Sequence, residues 1–578
     1  MGEPRTVAQS ALANYLIKRC VLGFMSPQEA QQIAAAAKAD VAAAVDYVTG
    51  ESDGFSFEGI NRLAAIGRSG RNSQHAWTDL LKLMKGIRMP NPFCFQLPVL
   101  FFGEEKHFKQ YFILPHELFA SLFHNYPAHF RQRMLGADGA MERFWEQMAL
   151  HPALENNPVT TKGNWKKRYI PFGLHGDGVP ISGVGKSWQR SAEVWSWNSL
   201  LAWGPTMQMM HFIFALFKDI VSSRRGHHTR DTFMRLLAWS LMSLYEGEWP
   251  WHCPNGHVYA EDTPEGARAR TPLCGNGSEK YCAVLFANEG DLEFHWQGFG
   301  LENPNRTREG PCIFCRCNSS TRSFTDYSDG AAWAATIYTK ATWREHHPHP
   351  NRLYLLPFVS IHNQVCDWMH TNHLGNYQRI FASVLHLLVY ELNEGTPTNV
   401  LLGVVKELKA RLRVTREKSF HNISLKMFTN PDKPHEKFPL LKGKAAEVKH
   451  LTNALLSVWT IHSARAIEAM DAADPLRAQR VIVYGQIRLL LRCLSNMENI
   501  LDKHDPVTYP KLPPDACREF QQHGNNALKL ITAIGTYYIE TEPRNLFNTT
   551  VNTHYLKHII LRARIQNPRL GWCYMPED

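Results

Sequence analysis

The sequence predicts an α/β plus α chain: a helical N-terminal region, a mixed α/β core, a long all-helical block and a short helical return. Three observations carry this. Between residues 166 and 291, short apolar runs end in glycine or an acid, as strands entering turns do. From Leu374 to about Ile539 almost everything repeats with helical spacing. The composition, 44% hydrophobic and 20% charged over 578 residues, is globular and allows three or four core-burying units.

The elements follow in order. Residues 1–88 form a helical N-terminal region: 8–50 are Ala-rich with helical spacing, SGRNSQ at 69–74 reads as a linker, and HAWTDLLKLMKG from His75 is an amphipathic helix. Residues 89–162 are a mixed linker and helical subdomain, extended at NPFCFQLPVLFF and helical around 116–150. The α/β core spans 163–370. KKRYIPFGLHGDG reads as a strand ending in a Gly-Asp-Gly turn, and SAEVWSWNSLLAW and TMQMMHFIFALF as two further strand-like or buried runs. RDTFMRLLAWSLMSLYE is a helix, and KYCAVLFANEGD at 280–291 is another strand ending at an acid. A loop-rich insertion lies around 250–282, and a CxxC stands at 312–315. Residues 371–550 are the helical block, and 551–578 return as a helix.

Composition excludes several classes. The best candidate for a membrane span, Met207–Val221, is broken by His211, Lys218 and Asp219. The N-terminus lacks an apolar signal core. Twelve cysteines are too few for a disulfide scaffold, and their clustering between Cys253 and Cys317 points to metal binding in a reducing compartment. GVGKS at 183–187 resembles the end of a phosphate-binding loop, but Pro180 stands where that loop needs a glycine. A net charge of +10 suits a polyanionic partner.

Asp177 and Asp291 each close a strand-like run, 114 residues apart. Strand-end carboxylates brought side by side can hold hard divalent cations, although aspartate is also a common turn residue. Cys312 and Cys315 form the CxxC, with Cys317 just beyond. His554 and His558 are four apart on a predicted helix and so share a face. Two thiolates and two imidazoles make a closed tetrahedral zinc site, a staple across the helical block. Asp367 and His370 form a compact pair that could equally be a helix cap beside a packed histidine. Cys253, His257, Cys274 and Cys282 are candidates for a second zinc. Cationic clusters at Lys166–Lys167–Arg168, beside Asp177 in sequence, and at Lys409, Arg411 and Arg413 are candidate phosphate contacts.

These motifs together resemble a cut-and-paste DDE transposase, most like the CACTA type, over roughly residues 165–578. HGDG at 175–178 resembles that family's first-acid motif and LFANEGDLEF at 285–294 its Gly-Asp-Leu second-acid motif. PCIFC at 311–315, DWMHTNHLG at 367–375, THYLKH with its histidine pair, and WCYMPED at 572–578 follow in the family's order. The order also resembles the catalytic core of the large RAG recombinase subunit, in which the CxxC and the histidine pair bind zinc. The resemblance implies an RNase H-like mixed sheet core, with a cysteine-containing insertion and a large all-helical insertion before the last acid. It implies two Mg²⁺ (or Mn²⁺) ions held by Asp177, Asp291 and Glu577, and one structural Zn²⁺ on Cys312, Cys315, His554 and His558. It further implies DNA partners (transposon ends and target), a nuclear location and no membrane, and it leaves room for a homo-oligomer. Asp367 is the rival for second acid; Asp291, which ends a strand, is preferred, with Asp367 and His370 organising the core around it. The rival functional reading is a catalytically inactive, truncated or domesticated remnant that acts only as a DNA-binding or structural protein.

Overall fold

The computed structural model describes residues 11–21, 25–49, 58–69, 72, 75–83, 89–182, 190–202, 204, 209–222, 229–277, 280–415 and 420–573. The chain divides into two compact units, Met1–Pro90 and Asn91–Asp578.

The first unit contains α1 (Ala11–Val21), α2 (Pro27–Thr49), α3 (Glu58–Ala64), α4 (Ile66–Ser69) and α5 (Ala76–Leu83). Ser26 starts α2 with a reciprocal cap: its N–H donates to Glu29 Oε2 (2.7 Å) and Glu29 N–H donates to its Oγ (3.1 Å). The core is small, with Leu16, Ala30, Ala34, Leu63 and Leu80 buried, because alanine lets helices approach closely without contributing much apolar area. The expected linker at 69–74 begins where α4 ends, and most of it lies outside the described residues.

The second unit opens on an antiparallel hairpin, β1 (Phe93–Phe101) and β2 (Glu104–Phe112), turned through Phe102 and Gly103, both at positive φ. Next come α6 (Pro115–Asn125), α7 (Pro127–Phe130), α8 (Ala140–Gln147) and the single turn α9 (Trp165–Arg168). A four-stranded mixed sheet follows: β3 (Tyr169–Ser182), β4 (Arg190–Ser199), β5 (His211–Phe217) and, after α10 (Thr229–Glu246) and the short α11 (Pro264–Arg268), β6 (Cys282–Glu289). The strand order is β5-β4-β3-β6, with β3–β4 and β4–β5 antiparallel and β3–β6 parallel. All eight residues of β6 are buried, as expected for a strand covered on both faces. The resulting core holds Phe172, Trp195, Trp197, Phe214, Phe233 and Phe286. GVGKS at 183–187 lies outside the described residues.

Past β6 stand α12 (Leu292–Gln297) and α13 (Lys340–His346) in a loop-rich stretch. There the chain runs back along the free edge of β6. Gln364 bridges Asn288 in parallel, Val365 N–H donates to Asn288 O (3.1 Å), and Asn363 Nδ2 donates to Leu285 O and Phe286 O (3.1 Å each). This short segment acts as a rudimentary fifth strand and delivers Asp367. A π-helical segment, Met369–Tyr377, then leads into the helical block: α14 (Gln378–Tyr390), α15 (Pro397–Thr415), α16 (Ala445–Ala469), α17 (Arg477–Lys503) and α18 (Pro514–Glu540). These bury a second core around Phe381, Leu385, Leu455, Trp459, Leu491 and Tyr538. Buried Glu498 of α17 accepts from Trp368 Nε1 (3.0 Å) and Tyr377 OH (3.0 Å) and meets His373 Nε2 at 2.9 Å, which fixes the π-helical segment to the block. The return helix α19 (Val551–Arg562) packs back on that segment through Asn376 Nδ2 to Asn552 O (3.2 Å) and Thr553 Oγ1 to Asn376 Oδ1 (2.9 Å). The chain is thus mixed α/β, with a small sheet and many helices.

Candidate functional site

Two strand ends build the first half of the site. The parallel register pairs Gly173 with Ala287, Leu174 with Asn288 and His175 with Glu289. Past that register Asp177 continues β3 and Asp291 follows β6, close enough for the Asp291 charge to bear on Asp177. Asp177 is half-buried and its Oδ1 accepts from Gly178 N–H (2.6 Å). Asp291 caps α12, its Oδ1 accepting from Phe294 N–H (2.6 Å). Each carboxylate therefore spends one oxygen on local backbone and keeps the other. Burial, and then the negative charge of Asp291, push the Asp177 carboxyl above its ordinary range, while Gly178 N–H, His370 and Lys218 pull it down.

Gly176 makes this approach possible. A Cβ there would stand 1.7 Å from Phe294 Cζ, and that ring is held against Trp195 (centroids 4.6 Å apart) and Phe299 (5.5 Å). The glycine of HGDG lets α12 lie on β3 and so brings Asp291 to Asp177. Gly176→Val is expected to cost about 3 kcal/mol in chemical denaturation, because neither strand nor ring can yield cheaply. Phe294→Ala in the same chain should recover part of that loss, and strictly additive losses would show that the two do not meet.

Asp367 and His370 form the second half. Asp367 is fully buried and meets His370 Nδ1 at 2.5 Å. It also accepts from the backbone N–H groups of Met369 (3.0 Å), His370 (2.9 Å) and Cys573 (3.1 Å). Burial alone would raise its pKa, but the His370 and backbone hydrogen bonds outweigh it and hold the carboxyl below its usual range. The bond from Cys573 ties the C-terminal segment to this buried pair. Glu577, four residues later, lies outside the described residues.

Behind these groups sits Glu289, which sequence reasoning missed. It is fully buried, and burial followed by the Asp367 charge pushes its carboxyl up to about 8. Its Oε1 and Asn198 Oδ1 stand 2.3 and 2.9 Å from the point where a Cβ on Gly173 would sit, and neither has a hydrogen-bond partner among the described residues. A raised folded-state pKa means the contribution is intact below about pH 4.5 and is eroded as pH rises toward 8. Glu289→Gln keeps a donor without the titration. Thermal melts should show it gaining on the wild type by about 1 kcal/mol per pH unit through that window. A difference that stays constant with pH would overturn the assignment.

The thiols and imidazoles meet as a separate centre. Cys312, Cys315, Cys317 and His554 are all buried, with ligand atoms within 4.8 Å of one another, and this Cys₃His group can hold a metal such as zinc. His558 is a fifth donor: its Nε2 lies 3.4 Å from Cys315 Sγ and 3.1 Å from His554 Nε2, which is itself 3.3 Å from Cys315 Sγ. Burial raises Cys312, but hydrogen bonding with Cys315 outweighs it and leaves the thiol at about 6; bonds with Cys312 and Cys315 bring Cys317 to about 5. Cys315 is pushed up by burial and by both neighbours. A divalent cation on these thiols would displace their protons. Tyr555 braces it, donating from its hydroxyl to Pro311 O (3.1 Å) and accepting from Ile313 N–H (3.0 Å). The Trp333 ring walls off both imidazoles, with centroids at 4.7 and 5.1 Å. Cys317, Tyr555 and Trp333 were not assigned from sequence; the only signal was the nearness of Cys317 to the CxxC.

The sequence matches no protein-family model and no curated protein.

The second zinc group and the nearness of Lys166–Arg168 to Asp177 need correction. Cys253, His257, Cys274 and Cys282 do not converge: Cys253 Sγ lies 3.8 Å from His257 Nδ1 in an open loop, whereas Cys274 and Cys282 are core thiols raised by burial. Among the described residues the only gathered metal-ligand group is the one at Cys312. Lys166, Lys167 and Arg168 precede β3, and Asp177 sits toward its far end. Nine residues of extended chain put about 30 Å between Arg168 and Asp177. Arg168 Nε instead donates to Lys280 O (3.0 Å). The cation beside Asp177 is Lys218, whose Nζ occupies the space a Cβ on Gly178 would need and lies 3.4 Å from Glu293 Oε1. On α15, Lys409 donates to His421 O (2.6 Å) and Arg411 pairs with Glu407 (3.6 Å), while Arg413 is exposed.

Proposed function

We propose that this chain is a DDE-type DNA transposase of the CACTA kind, built on an RNase H-like core, that cuts and joins DNA phosphodiesters in the nucleus. The observation that carries the reading is the pairing of two acids across a parallel strand pair. In the order β5-β4-β3-β6, Asp177 lies in the central strand and Asp291 directly after the parallel neighbour. An RNase H-like core has that order and polarity, with its first two acids at those places.

The donor set fits hard cations. Two carboxylates each keep an oxygen beyond their backbone bonds, and Cys573, four residues before Glu577, donates to Asp367. Two Mg²⁺ ions held by Asp177, Asp291 and Glu577 would activate the attacking oxygen and neutralise the leaving one. Asp367 fixes the orientation of His370 through Nδ1, and the His370 charge reaches Asp177. Lys218 faces the same carboxylates and is suited to a scissile phosphate; Arg413, Lys409 and Arg411 offer contacts farther along DNA. The thiol–imidazole centre ties α19 to the loop at Cys312.

The test is incubation of the protein with Mg²⁺ and end-labelled DNA carrying the element's terminal repeats. Nicking that disappears in Asp177→Ala supports the proposal. Tight binding with no nicking at any Mg²⁺ or Mn²⁺ concentration would favour a remnant that only binds DNA.

A further inference from the structure

A deep cavity in the second unit shares no lining residue with the paired acids or the thiol–imidazole centre. Its volume is about 610 Å³, and it lies between α10 and the loops at 248–256 and 352–356. That size suits a nucleotide. Three indoles (Trp239, Trp249, Trp251) and three guanidiniums (Arg235, Arg270, Arg352) line it. We infer that this cavity binds an unpaired nucleobase of single-stranded DNA, with the arginines on its phosphates. The inference rests on the chain being a DNA-binding protein and adds a second contact to the one at the acids.

Charge favours this occupant. The two lining acids are already engaged, Glu246 with Lys162 (3.3 Å) and Glu248 with Lys280 (2.8 Å). Arg235 and Arg270 are exposed and have no carboxylate within 4 Å among the described residues. Arg352 pairs with Asp231 at 3.7 Å, but both are about half exposed, and such a pair yields readily to a phosphate. The rim is therefore cationic around an apolar, indole-rich interior.

The aromatic geometry agrees. Trp251 is 43% exposed, with the Arg270 guanidinium 5.2 Å from its ring centroid. An indole left open beside a guanidinium is a stacking platform for any base, because every base has a π-face. The platform is held in place before a ligand arrives. Trp249 N–H donates to Thr271 O and Arg270 N–H to Trp249 O (2.9 Å each), Tyr259 N–H to Trp251 O (3.1 Å), and Trp239 Nε1 to His252 O (2.8 Å). A concave site of this kind takes a base only when it is out of the duplex stack, so a single strand is the fitting ligand. A proline-rich peptide could use the indoles but would leave the guanidiniums without purpose.

Fluorescein-labelled (dT)₁₂ titrated into the full chain tests this by anisotropy, with tryptophan emission followed in parallel. The wild type should bind with quenching, Trp251→Ala should weaken binding about tenfold, and Arg270→Ala should lower the log–log salt slope by about 0.7. Both side chains are at the surface, so unchanged melting curves confirm intact folding. Equal (dT)₁₂ affinity in the wild type and both variants would overturn the inference. So would quenching by a polyproline peptide in place of (dT)₁₂. Asp177→Ala should leave (dT)₁₂ binding untouched: binding dependent on Trp251 without nicking would sink the catalytic reading alone, and nicking with no Trp251 effect would sink this one alone.

Discussion

Cys315→Ser should abolish metal binding at the thiol–imidazole centre and lower the melting temperature by about 10 °C or more. Cys315 Sγ is the atom both imidazoles approach, at 3.3 and 3.4 Å, so its loss removes the thiol that joins the histidine pair to the loop. A structural zinc on thiolates and imidazoles is worth about 10–16 kcal/mol of apparent binding energy, and in a folded site that is folding energy. The ion would also close a loop of 239 residues, and clips on long loops gain most from restricting the unfolded chain. Elemental analysis of the purified protein should give about one zinc per chain, absent in Cys315→Ser. A chelator should reproduce the fall in the wild type, with recovery on zinc addition only there. The fifth donor makes a finer expectation. A tetrahedral ion needs four ligands and five donors are gathered, so Cys317→Ser and His558→Gln should each retain zinc. Full zinc in Cys315→Ser would remove the centre from its assigned place.

How much of this was legible in the sequence depends on whether a feature is local. Asp177 and Asp291 stood out because IPFGL and CAVLFAN are apolar runs that stop at an acid, and strand periodicity is written residue by residue. The pairing of His554 with His558 was legible for the same reason, since four residues on a helix is one face. Cys317 was less so: a Cys-x-Cys step has no fixed direction until the loop's path is known. Tyr555 and Trp333 looked like core aromatics, and they are buried, but Tyr555 braces the loop at Ile313 and Trp333 packs on His554, each more than 200 residues away. Glu289 is hidden by its strand, where a carboxylate between Asn288 and Gly290 reads as the edge of a turn rather than a buried acid. The Lys166–Arg168 error has the opposite cause. Closeness in sequence was read as closeness in space, although an extended strand is the conformation that separates its ends most. Lys218 was passed over as an interruption in an apolar run, because only the antiparallel return of β5 across β4 brings it beside Asp177.

Isosteric replacement separates the two candidates for the second acid. Asp291→Asn and Asp177→Asn are expected to reduce Mg²⁺-dependent cleavage by about 10³-fold or more, since each removes a charge that several kcal/mol of metal-mediated stabilisation would need. DNA affinity and melting temperature without Mg²⁺ should barely change, because each residue's remaining structural task is one backbone hydrogen bond that an amide oxygen can still accept. The double variant should be no slower than either single one, as expected for groups that act as a unit. Asp367→Asn should behave differently. Its carboxylate is fully buried, meets His370 at 2.5 Å and receives three backbone N–H groups, so an amide there leaves the imidazole without a charged partner. Destabilisation of about 3 kcal/mol should follow, visible in melts with or without Mg²⁺, and the anchor at Cys573 should loosen with it. If instead Asp367→Asn melts like the wild type and abolishes cleavage while Asp291→Asn still cuts, the carboxyl roles are reversed. The metal would then be held from the edge of the sheet rather than across its parallel pair.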